Sequence, residues 1–364
     1  MIHRGRRAQR PPGLLAGLGL CLWIAGMGQV PAQPVASSEL SAPHQISADH
    51  RNGSRYMGIR LLGAVRLKSL RIDGQPLQEL SGLAWDEDEQ ILYAISDGGG
   101  LFHFRTEFKG GMLTGLAARA AYALRDPEGR PLSGRRADSE GLAIENGDNG
   151  IPGDTRLVVS FERRPRLARY STKGRFLEPI ALPGPLGVAA NYASPNTSLE
   201  SVTRHPIFGW LTAPERPMTG DPPGIIRIWS SRGLSWEYPL RDTPNNALVA
   251  MEALEDGSLV TLERGHGLLL YMPLIISLRR TFPLAAGLGR LPDVATAAVL
   301  NSSTGWWIDN FEGLTRHRGL RFFLVSDDNK NAAQVTILLY LEIVDQAPTD
   351  YRPVESDTRQ ENRH

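Results

Sequence analysis

LSGLAWDEDEQILYAISD (residues 80–97) is the stretch of sequence that decides the fold. Ser81 is followed by a small and an apolar residue, then by an acidic turn, and then by an apolar strand that ends at Asp97. The same order of elements recurs four more times along the chain. Because self-similarity at a regular period is the signature of repeat architectures, we expect a fold built from copies of one small unit.

Each unit begins with a triplet, usually an acid, a small residue and an apolar residue, and the triplets follow one another at intervals of 59, 60, 52 and 60 residues. The triplets are Ser81–Gly82–Leu83, Glu140–Gly141–Leu142, Glu200–Ser201–Val202, Glu252–Ala253–Leu254 and Glu312–Gly313–Leu314. The apolar strands that follow end at Asp97, Glu162, Glu215, Glu263 and Asp327. Two further strand-like runs complete several of the units, so that a unit has four short strands.

Four short strands per unit, separated by Gly, Pro and Asp turns, are typical of a β-propeller blade. The sequence therefore predicts an all-β propeller of four-stranded blades, with five blades counted and a degenerate sixth left open in residues 271–310. The fifth unit lacks one strand, and the run GIRLLGAVRL (residues 58–67) belongs to no unit. We expect this N-terminal strand to complete the last blade, since closing the ring removes exposed sheet edges.

The composition describes a globular protein that does not bind nucleic acid. With 364 residues and 41% hydrophobic content the chain can bury a large core, which excludes disorder as its main state. Its 40 basic and 39 acidic side chains give a formal net charge of +1, and no long basic block interrupts the body of the chain. The electrostatic footprint of a nucleic-acid-binding protein is therefore missing.

The N-terminus is predicted to be an export signal. An Arg-rich start precedes the apolar stretch of residues 14–28, and Val30 and Ala32 suit a cleavage site after Ala32. At about 15 residues the apolar stretch is shorter than the roughly 20 that span a bilayer, although an uncleaved anchor is the alternative. Cleavage removes Cys21, the only cysteine. We expect a periplasmic or secreted protein without stable membrane insertion.

The rest of the chain divides into three parts in this interpretation. Residues 33–57 are polar and without periodicity, and are predicted to be a flexible linker. The propeller domain is expected over residues 58–346, and residues 347–364 form a polar C-terminal tail.

The recurring acids are expected to meet at one mouth of the propeller channel, because the first strand of each blade lines that channel. The triplet acids are Glu140, Glu200, Glu252 and Glu312, and the acids at the strand ends include Asp328 beside Asp327. Ionising so many neighbouring carboxyls is costly unless a cation or arginines offset their charge. Their oxygen atoms suit a hard divalent cation such as Ca²⁺. Each acid could instead cap a turn by accepting backbone N–H bonds, and this structural interpretation stays open.

Arginines and one histidine add to this candidate site. Arg163, Arg216 and Arg264 directly follow strand-end acids, and could bind phosphate or form salt bridges between blades. His266 is the best general acid or base candidate, because it follows Arg264 on the expected functional face. No G-x-S-x-G, H-E-x-x-H or phosphate-loop motif occurs, so a serine-hydrolase mechanism has no support.

The motif set resembles the family of bacterial exported proteins called "esterase-like activity of phytase". The segments that carry the resemblance are LSGLAWDEDEQILYAISD, DSEGLAIE, ALVAMEALEDGSLVTLERG, NFEGLT and FFLVSDDN, within residues 58–345. The resemblance implies hydrolysis of phosphate esters through recurrent acids, which match Asp97, Glu140, Glu162, Glu252, Glu263, Glu312, Asp327 and Asp328. Ser81 departs from this pattern in the first repeat, and Glu200 and Glu215 stand in a degenerate third repeat.

The leading hypothesis is a metal-assisted hydrolase of phosphate esters. Its expected catalytic residues are Glu140, Glu252, Glu312 and His266, its substrate-binding residues are Arg163 and Arg264, and its metal ligands are Asp97, Glu162, Glu263, Asp327 and Asp328. The expected cofactor is a divalent cation, Ca²⁺ first, and the expected partner is a small phosphorylated or ester substrate bound by a monomer. The alternatives are a non-catalytic ligand- or protein-binding propeller of the cell envelope, and lactone or sugar-ester hydrolysis at a similar cation site.

Overall fold

The computed structural model describes Met1 and residues 35–269, 272–282, 284–285, 289 and 294–344. Apart from Met1, the predicted signal peptide and C-terminal tail lie outside the described residues. Among the described residues, no helix is long and apolar enough to cross a membrane.

Four blades are antiparallel sheets whose four strands follow chain order from the axis outward. Blade 1 comprises Leu80–Asp86, Ile91–Ser96, Gly100–Lys109 and Met112–Ala123. Blade 2 comprises Ser139–Glu145, Arg156–Phe161, Arg166–Ser171 and Phe176–Ile180. Blade 3 comprises Leu199–His205, Gly209–Pro214, Ile225–Ser230 and Ser235–Pro239. Blade 4 comprises Ala247–Ala253, Leu259–Leu269, Met272–Thr281 and Val294–Asn301.

Blade 5 is assembled from both ends of the described chain. Its strands Asn310–Arg316, Arg321–Asp327 and Ile337–Ile343 are completed by Ile59–Leu67. The last two strands are antiparallel, with Ile343 opposite Ile59 and Ile337 opposite Arg66. The prediction that the N-terminal strand closes the ring of five blades is therefore confirmed.

Blade 4 contains most of the stretch in which a sixth blade is the alternative. Its second and third strands are Leu259–Leu269 and Met272–Thr281, and its fourth strand is Val294–Asn301. The described residues between 272 and 310 thus supply the outer part of blade 4 and the beginning of blade 5 rather than a separate blade.

Residues 35–57 are packed against the propeller, so the prediction of a flexible linker is wrong for them. A short helix, Ser37–Leu40, leads into the strand Ser41–Pro43, which pairs with Ile59–Leu67. Leu40 and Ile46 are buried in the core. Two well-placed apolar side chains and a few ladder hydrogen bonds hold a segment that lacks hydrophobic periodicity.

Smaller elements connect the blades. The strand Arg55–Tyr56 pairs with the start of Ile59–Leu67, and Arg71–Ile72 pairs with Gln75–Pro76. Short 3-10 helices are Gly134–Arg136, Gly184–Gly187, Ala189–Asn191 and Ser302–Thr304.

The inner strands approach one another closely around the axis, which explains the small residue of each repeat. A Cβ atom on Gly141 would lie 2.7 Å from the carbonyl oxygen of Glu200 and 2.8 Å from the nitrogen of Val202. The five equivalent positions are Gly82, Gly141, Ser201, Ala250 and Gly313. Apolar side chains fill the axis beside them: Leu83, Leu142, Val202, Met251 and Leu314. The cavity left there, about 10 Å³, is at the size limit for one water molecule, so the axis is plugged rather than open.

Candidate metal centre at the acidic mouth

A β-bulge at the start of each inner strand places one residue of each blade at the same end of the axis. In blade 5, for example, Phe311 pairs with Ser326 and Gly313 pairs with Val325, so that Glu312 is the extra residue. Bulges commonly change the direction of a side chain next to a functional site. The residues at this position are Ser81, Glu140, Glu200, Val249 and Glu312. We call this end of the axis the acidic mouth.

The second strand of each blade returns to the acidic mouth and supplies one more side chain there. On the second strand, this side chain belongs to the residue that comes directly after the one paired with the residue before the bulge. In blades 1 to 5 the residues at this position are Asp97, Glu162, Glu215, Arg264 and Asp327. Blades 1, 2, 3 and 5 thus contribute an acid, and blade 4 contributes an arginine. Seven carboxyl groups form the acidic ring: Asp97, Glu140, Glu162, Glu200, Glu215, Glu312 and Asp327.

Burial and mutual repulsion make the ring reluctant to ionise. Burial raises the pKa of Glu140 and Glu200 well above its usual range, and the charges of neighbouring acids raise it further. The pKa of Glu162 and that of Asp327 are each raised to about 8, again by burial first and by nearby carboxylates second. A bound cation would reverse this effect by favouring the ionised forms.

One part of the acidic ring has the geometry of a cation site. Asp138, Glu140 and Glu162 each offer a carboxylate oxygen, and these three atoms lie within 4.8 Å of one another. Three oxygens at this spacing can surround one Ca²⁺ ion with the usual oxygen distances of about 2.3–2.6 Å. Asp97, whose charge acts on Glu140, has a buried Oδ1 without a hydrogen-bond partner. The donor set therefore fits a hard divalent cation.

Arg264 occupies in blade 4 the place that an acid occupies in the other blades. Its Nη2 donates to Glu215 at 2.7 Å and its Nη1 donates to the Asn310 side chain at 2.9 Å. Nη1 also contacts a carboxylate oxygen of Glu312. Arg264 therefore brings a positive charge to one side of the ring. The candidate cation ligands at blade 2 bring negative charges to another side.

Arg163 lies next to the three candidate ligands. Its Nε forms an ion pair with Asp138 at 3.0 Å and a hydrogen bond to Asn196 at 3.2 Å. The side chain of Arg163 is 40% exposed, so that solvent reaches it.

Glu252 was expected in this ring, and the structure places it at the other end of the axis. It pairs with Val260 near the end of the inner strand and lines a cavity of about 800 Å³ with Thr203 and Arg316. Burial raises its pKa to about 8, and its charged neighbour is Arg316 rather than another acid. The triplet Glu252–Ala253–Leu254 resembles the others in composition but lies three residues beyond the true equivalent, Val249–Ala250–Met251.

Glu263 was expected to be a metal ligand, and this is also wrong. It is fully buried and accepts hydrogen bonds from Arg279 at 2.6 Å, from Asn246 at 2.6 Å and from the backbone of Arg241 at 3.0 Å. Successive side chains of a strand point to opposite faces. Since Glu263 is one residue short of the ring position, it points to the face of blade 4 that packs against blade 3, where the Tyr238 hydroxyl donates to it. Arg264 takes the place at the mouth.

Asp328 serves the turn that joins blade 5 to blade 1. Its Oδ1 accepts the backbone N–H of Glu79 at 3.0 Å, and its Oδ2 accepts the Thr336 hydroxyl at 3.0 Å. With both oxygens engaged by the chain, we remove Asp328 from the set of expected ligands. Asp327 remains in the ring, with one oxygen accepting the N–H of Asn329 at 2.7 Å.

His266 lies in a side pocket that opens beside Arg264. We define the side pocket as the cavity of about 680 Å³ lined by Arg264, His266, Met272, Leu274, Ile308, Asp309, Asn310, Asn329, Asn331, Ala333 and Gln334. The Nδ1 atom of His266 is 3.0 Å from the carbonyl oxygen of Gly267. His266 is thus close to the acidic mouth without belonging to the ring.

Sequence reasoning missed Asp138 as a candidate ligand. The acid stands two residues before Glu140 in the segment DSEGL, so that its side chain lies on the same face of the chain as Glu140. That spacing is a usable signal, but it occurs in only one of the five repeats.

The fold and the site together define a five-bladed β-propeller with a carboxylate-rich mouth. The chain belongs to the phytase-like family, described as "esterase-like activity of phytase", whose family model matches residues 75–330. The resemblance found in the sequence is thereby confirmed.

Solved structures with similar folds share little sequence with this chain. A structural-genomics protein of unknown function from Bacteroides thetaiotaomicron is 12% identical, with a TM-score of 0.41 over 85% of this chain and 72% of that one. A gluconolactonase from Xanthomonas campestris is 13% identical, with a TM-score of 0.36 over 86% of this chain and 99% of that one. The Dos1 propeller is 9% identical, with a TM-score of 0.34 over 80% and 76%. The comparison with curated proteins gave no match.

Proposed function

We propose that the protein is a divalent-cation-dependent hydrolase of phosphate esters that works at the acidic mouth. The observation that carries this proposal is the convergence of Asp138, Glu140 and Glu162, with one oxygen of each inside 4.8 Å of the others. Membership of the phytase-like family supports the same reaction class. When bound, a cation at these residues would polarise a phosphoryl oxygen and lower the pKa of a bound water.

The chain's own residues would bind the phosphate and move the protons. Arg163, which is 40% exposed and pairs with Asp138 through Nε, would donate from its other guanidinium N–H groups to phosphoryl oxygens. Arg264 is a positioning residue, because its contacts with Glu215 and Glu312 hold the side chains of these two acids in place. Because the Nε atom of Arg264 is buried, we assign direct contact with the substrate to Arg163 and not to Arg264.

Hydrolysis forms a bond from phosphorus to the water oxygen and breaks the bond from phosphorus to the alcohol oxygen. Asp327, whose pKa is raised to about 8, would accept the proton of the water in its ionised form, the share of which grows as the pH approaches 8. His266, in the side pocket, would donate a proton to the departing alcohol. After each turnover Asp327 releases its proton to solvent and His266 takes one up from solvent, which restores both groups.

A thermal melt with matched variants tests the proposal. After chelation, excess Ca²⁺, Mg²⁺ or Mn²⁺ is added in turn, and a phosphate-ester screen follows with the ion that stabilises the protein. An ion at 100 times its dissociation constant adds about 2.7 kcal/mol to the free energy of unfolding. Glu140→Gln should lose both the stabilisation and the turnover. The control Glu252→Gln makes the same change in a buried acid at the opposite mouth and should lose neither.

The outcomes separate the candidate functions. Stabilisation by a cation without turnover of any ester favours the non-catalytic binding propeller and overturns the hydrolase. Stabilisation and turnover that survive in Glu140→Gln would show that the cation lies elsewhere.

We also propose that the protein is exported and monomeric. The support is the N-terminal sequence, with its charged start, apolar stretch and small residues before residue 33. Mass spectrometry of the protein isolated from its host should find a chain that begins at Gln33, and size-exclusion chromatography should give the mass of one copy. Detection of residues 1–32 on the isolated protein would contradict cleavage.

A further inference from the structure

A cavity of about 800 Å³ lies at the end of the axis opposite the acidic mouth, and we call it the opposite cavity. Two successive positions of the five inner strands line it. The first position is occupied by Ala84, Ala143, Thr203, Glu252 and Thr315, and the second by Trp85, Ile144, Arg204, Ala253 and Arg316. Arg204 and Arg316 thus stand on the two blades that flank blade 4, whose small Ala253 leaves room between them.

One arginine of the opposite cavity has no acidic partner. The charged residues of the lining are Arg204, Arg316, Arg318, Glu87, Asp148, Glu252 and Glu255. Arg318 pairs with Glu87 at 2.6 Å, and Arg316 pairs with Glu255 at 2.5 Å. Arg204 is exposed, and its side chain forms no ion pair or hydrogen bond with the described residues. An exposed guanidinium group that lines a cavity is available to an anionic ligand.

Two titratable side chains of the lining carry little charge at neutral pH. Burial raises the pKa of Glu252 to about 8, even though Arg316 lowers it, so this carboxyl group is mostly protonated and can donate a hydrogen bond. Burial lowers the pKa of His317, which also lines the cavity, to about 4. The lining therefore has three arginines against three ionised acids.

Asp148, the third ionised acid, belongs to the blade 1 side of the opposite cavity. Its neighbours in sequence bind that blade: the carbonyl oxygen of Gly147 accepts the N–H of Glu87 at 2.7 Å, and the N–H of Asn149 donates to Asp88 at 3.0 Å. Arg204 stands on blade 3. An acidic group placed at Arg204 would therefore meet the guanidinium group first.

The rim of the opposite cavity is open between blades 2 and 3. At the other four blade interfaces a contact joins the turns: Glu87–Gly147, His205–Gly257, Glu255–Arg316 and Arg318–Glu87. Within the described chain, no hydrogen bond or ion pair joins residues 146–155 of blade 2 to residues 206–208 of blade 3. Ile151 on the first turn and Ile207 on the second are 58% and 57% exposed. The opening beside Arg204 thus has apolar side chains on both turns.

We propose that the opposite cavity is a second binding site, which takes a small organic anion with its acidic group at Arg204 and its apolar part between Ile151 and Ile207. A carboxylate and a phosphoryl group both suit a guanidinium partner, and a cavity with a few polar groups among apolar ones is typical of ligand sites. The plugged axis separates this cavity from the acidic mouth. The inference therefore goes beyond the proposed hydrolase and does not depend on it.

Three probes that share one phenyl group test this inference. Benzoate carries a carboxylate, phenylphosphonate carries a phosphoryl group without an ester bond, and benzamide carries no charge. Each is titrated by calorimetry into the chelated protein, so that no cation at the acidic mouth holds the phosphonate. We expect at least one anion to bind about tenfold more tightly than benzamide, which is the effect of one charge-assisted hydrogen bond. The tighter of the two anions identifies the acidic group that the site prefers.

Two pairs of surface variants locate the bound probe. Arg204→Gln should remove the preference for anions, whereas Arg232→Gln, an exposed arginine of the same blade outside the cavity lining, should keep it. Ile207→Ser should weaken all three probes by about twofold to threefold through lost apolar contact. Val188→Ser changes a side chain that is 50% exposed in the loop between blades 2 and 3, outside the lining, and should weaken none.

The results decide the site and the placement separately. Equal binding of the anions and benzamide, or no binding of any probe, overturns the anion site. A preference for anions that survives in Arg204→Gln also overturns it, because the anion then lies elsewhere. Equal effects of Ile207→Ser and Val188→Ser overturn the placement of the apolar part. Failure of the phosphate-ester screen leaves these results unchanged, since they are measured without cation and without turnover.

Discussion

Arg264 replaces an acid of the ring, and this single difference makes the acidic mouth asymmetric. Four blades bring a carboxyl group to this position, and blade 4 brings a guanidinium group that contacts Glu215, Glu312 and Asn310. The three candidate cation ligands, Asp138, Glu140 and Glu162, lie at blade 2. The acids near Arg264 are paired with a positive charge of the protein itself.

Loss of this arginine should destabilise the protein. Arg264→Gln leaves Glu215 and Glu312 buried without their positive partner, which typically costs about 3–5 kcal/mol. Urea unfolding of the variant and of the unmodified protein measures the loss.

A matched control is available on the surface of blade 1. Arg119 is exposed, and Arg119→Gln should change stability by less than about 0.5 kcal/mol. Equal effects of the two substitutions would contradict the role assigned to Arg264.

At the residue scale, most acids of the ring could be predicted from the sequence, but the residue that blade 4 contributes could not. Glu140 and Glu312 follow from the repeat, because each directly precedes a small residue that the crowded axis requires. The acids Asp97, Glu162 and Asp327 follow from it because each ends the apolar strand that comes next. This reasoning fails for blade 4. One residue of strand register exchanges the two faces, so Glu263 points to the interface with blade 3 and its neighbour reaches the mouth. No composition rule distinguishes these two adjacent positions.

At the scale of the element, the small residues of the inner strands determine how closely the blades pack. Gly141→Ala would place a methyl group 2.6 Å from the Ser160 hydroxyl and 2.7 Å from a carbonyl oxygen of the next blade. Such overpacking typically costs about 1–3 kcal/mol. We expect a loss of this size in the free energy of unfolding, measured by denaturant titration.

Gly187 provides the control for this substitution. A Cβ atom there has nothing within 4 Å. Gly187→Ala should be neutral, or more stable by up to about 1 kcal/mol through the entropy of the unfolded chain. A Gly141→Ala variant as stable as Gly187→Ala would disprove the close approach of the inner strands.

The closing strand Ile59–Leu67 should be essential for a soluble propeller. Without it, Ile337–Ile343 becomes an exposed edge strand with unpaired backbone groups, which promotes association. A chain that begins at residue 70 should aggregate or form oligomers in light scattering, whereas one that begins at residue 33 should stay monomeric. A monomeric, cooperatively folding shorter chain would contradict this role of the strand.

Strands that are separated by clear turn residues could be predicted from the sequence, and strands without such turns could not. Gly, Pro and Asp turns separate the strands of blades 1 to 3, and the orphan run of residues 58–67 could be matched to the blade that lacked a strand. Blade 4 has long, continuous strands, Leu259–Leu269 and Met272–Thr281, whose apolar runs give no indication of where one ends. The packed segment of residues 35–57 has few apolar side chains, so composition alone suggested a linker.

At the scale of the whole molecule, the acidic ring should set an unusual pH dependence. Glu162 and Asp327 have folded-state pKa values of about 8, above their values in the unfolded chain. Between the pKa values of the unfolded chain and about pH 8, the folded protein therefore binds more protons than the unfolded chain does. The stability that these groups contribute is complete at low pH and is lost as the pH rises through about 8.

We expect the melting temperature of the chelated protein to fall between about pH 5 and about pH 8. Each such group contributes about 1.4 kcal/mol per pH unit inside its window. Excess Ca²⁺ should reduce the fall, because the ion binds the ionised carboxylates. Scanning calorimetry with and without the ion measures both curves, and parallel curves would contradict cation binding by these acids.

The pairing of Ile59–Leu67 with Ile337–Ile343 also determines at what point of its synthesis the propeller can close. Ile59 and Ile343 are partners separated by 284 positions along the chain. A ribosome that adds about 5–20 residues per second needs about 15 to 60 seconds to make the second strand after the first. During that interval the early strand has no partner, so the ring closes only after nearly the whole described chain has been synthesised.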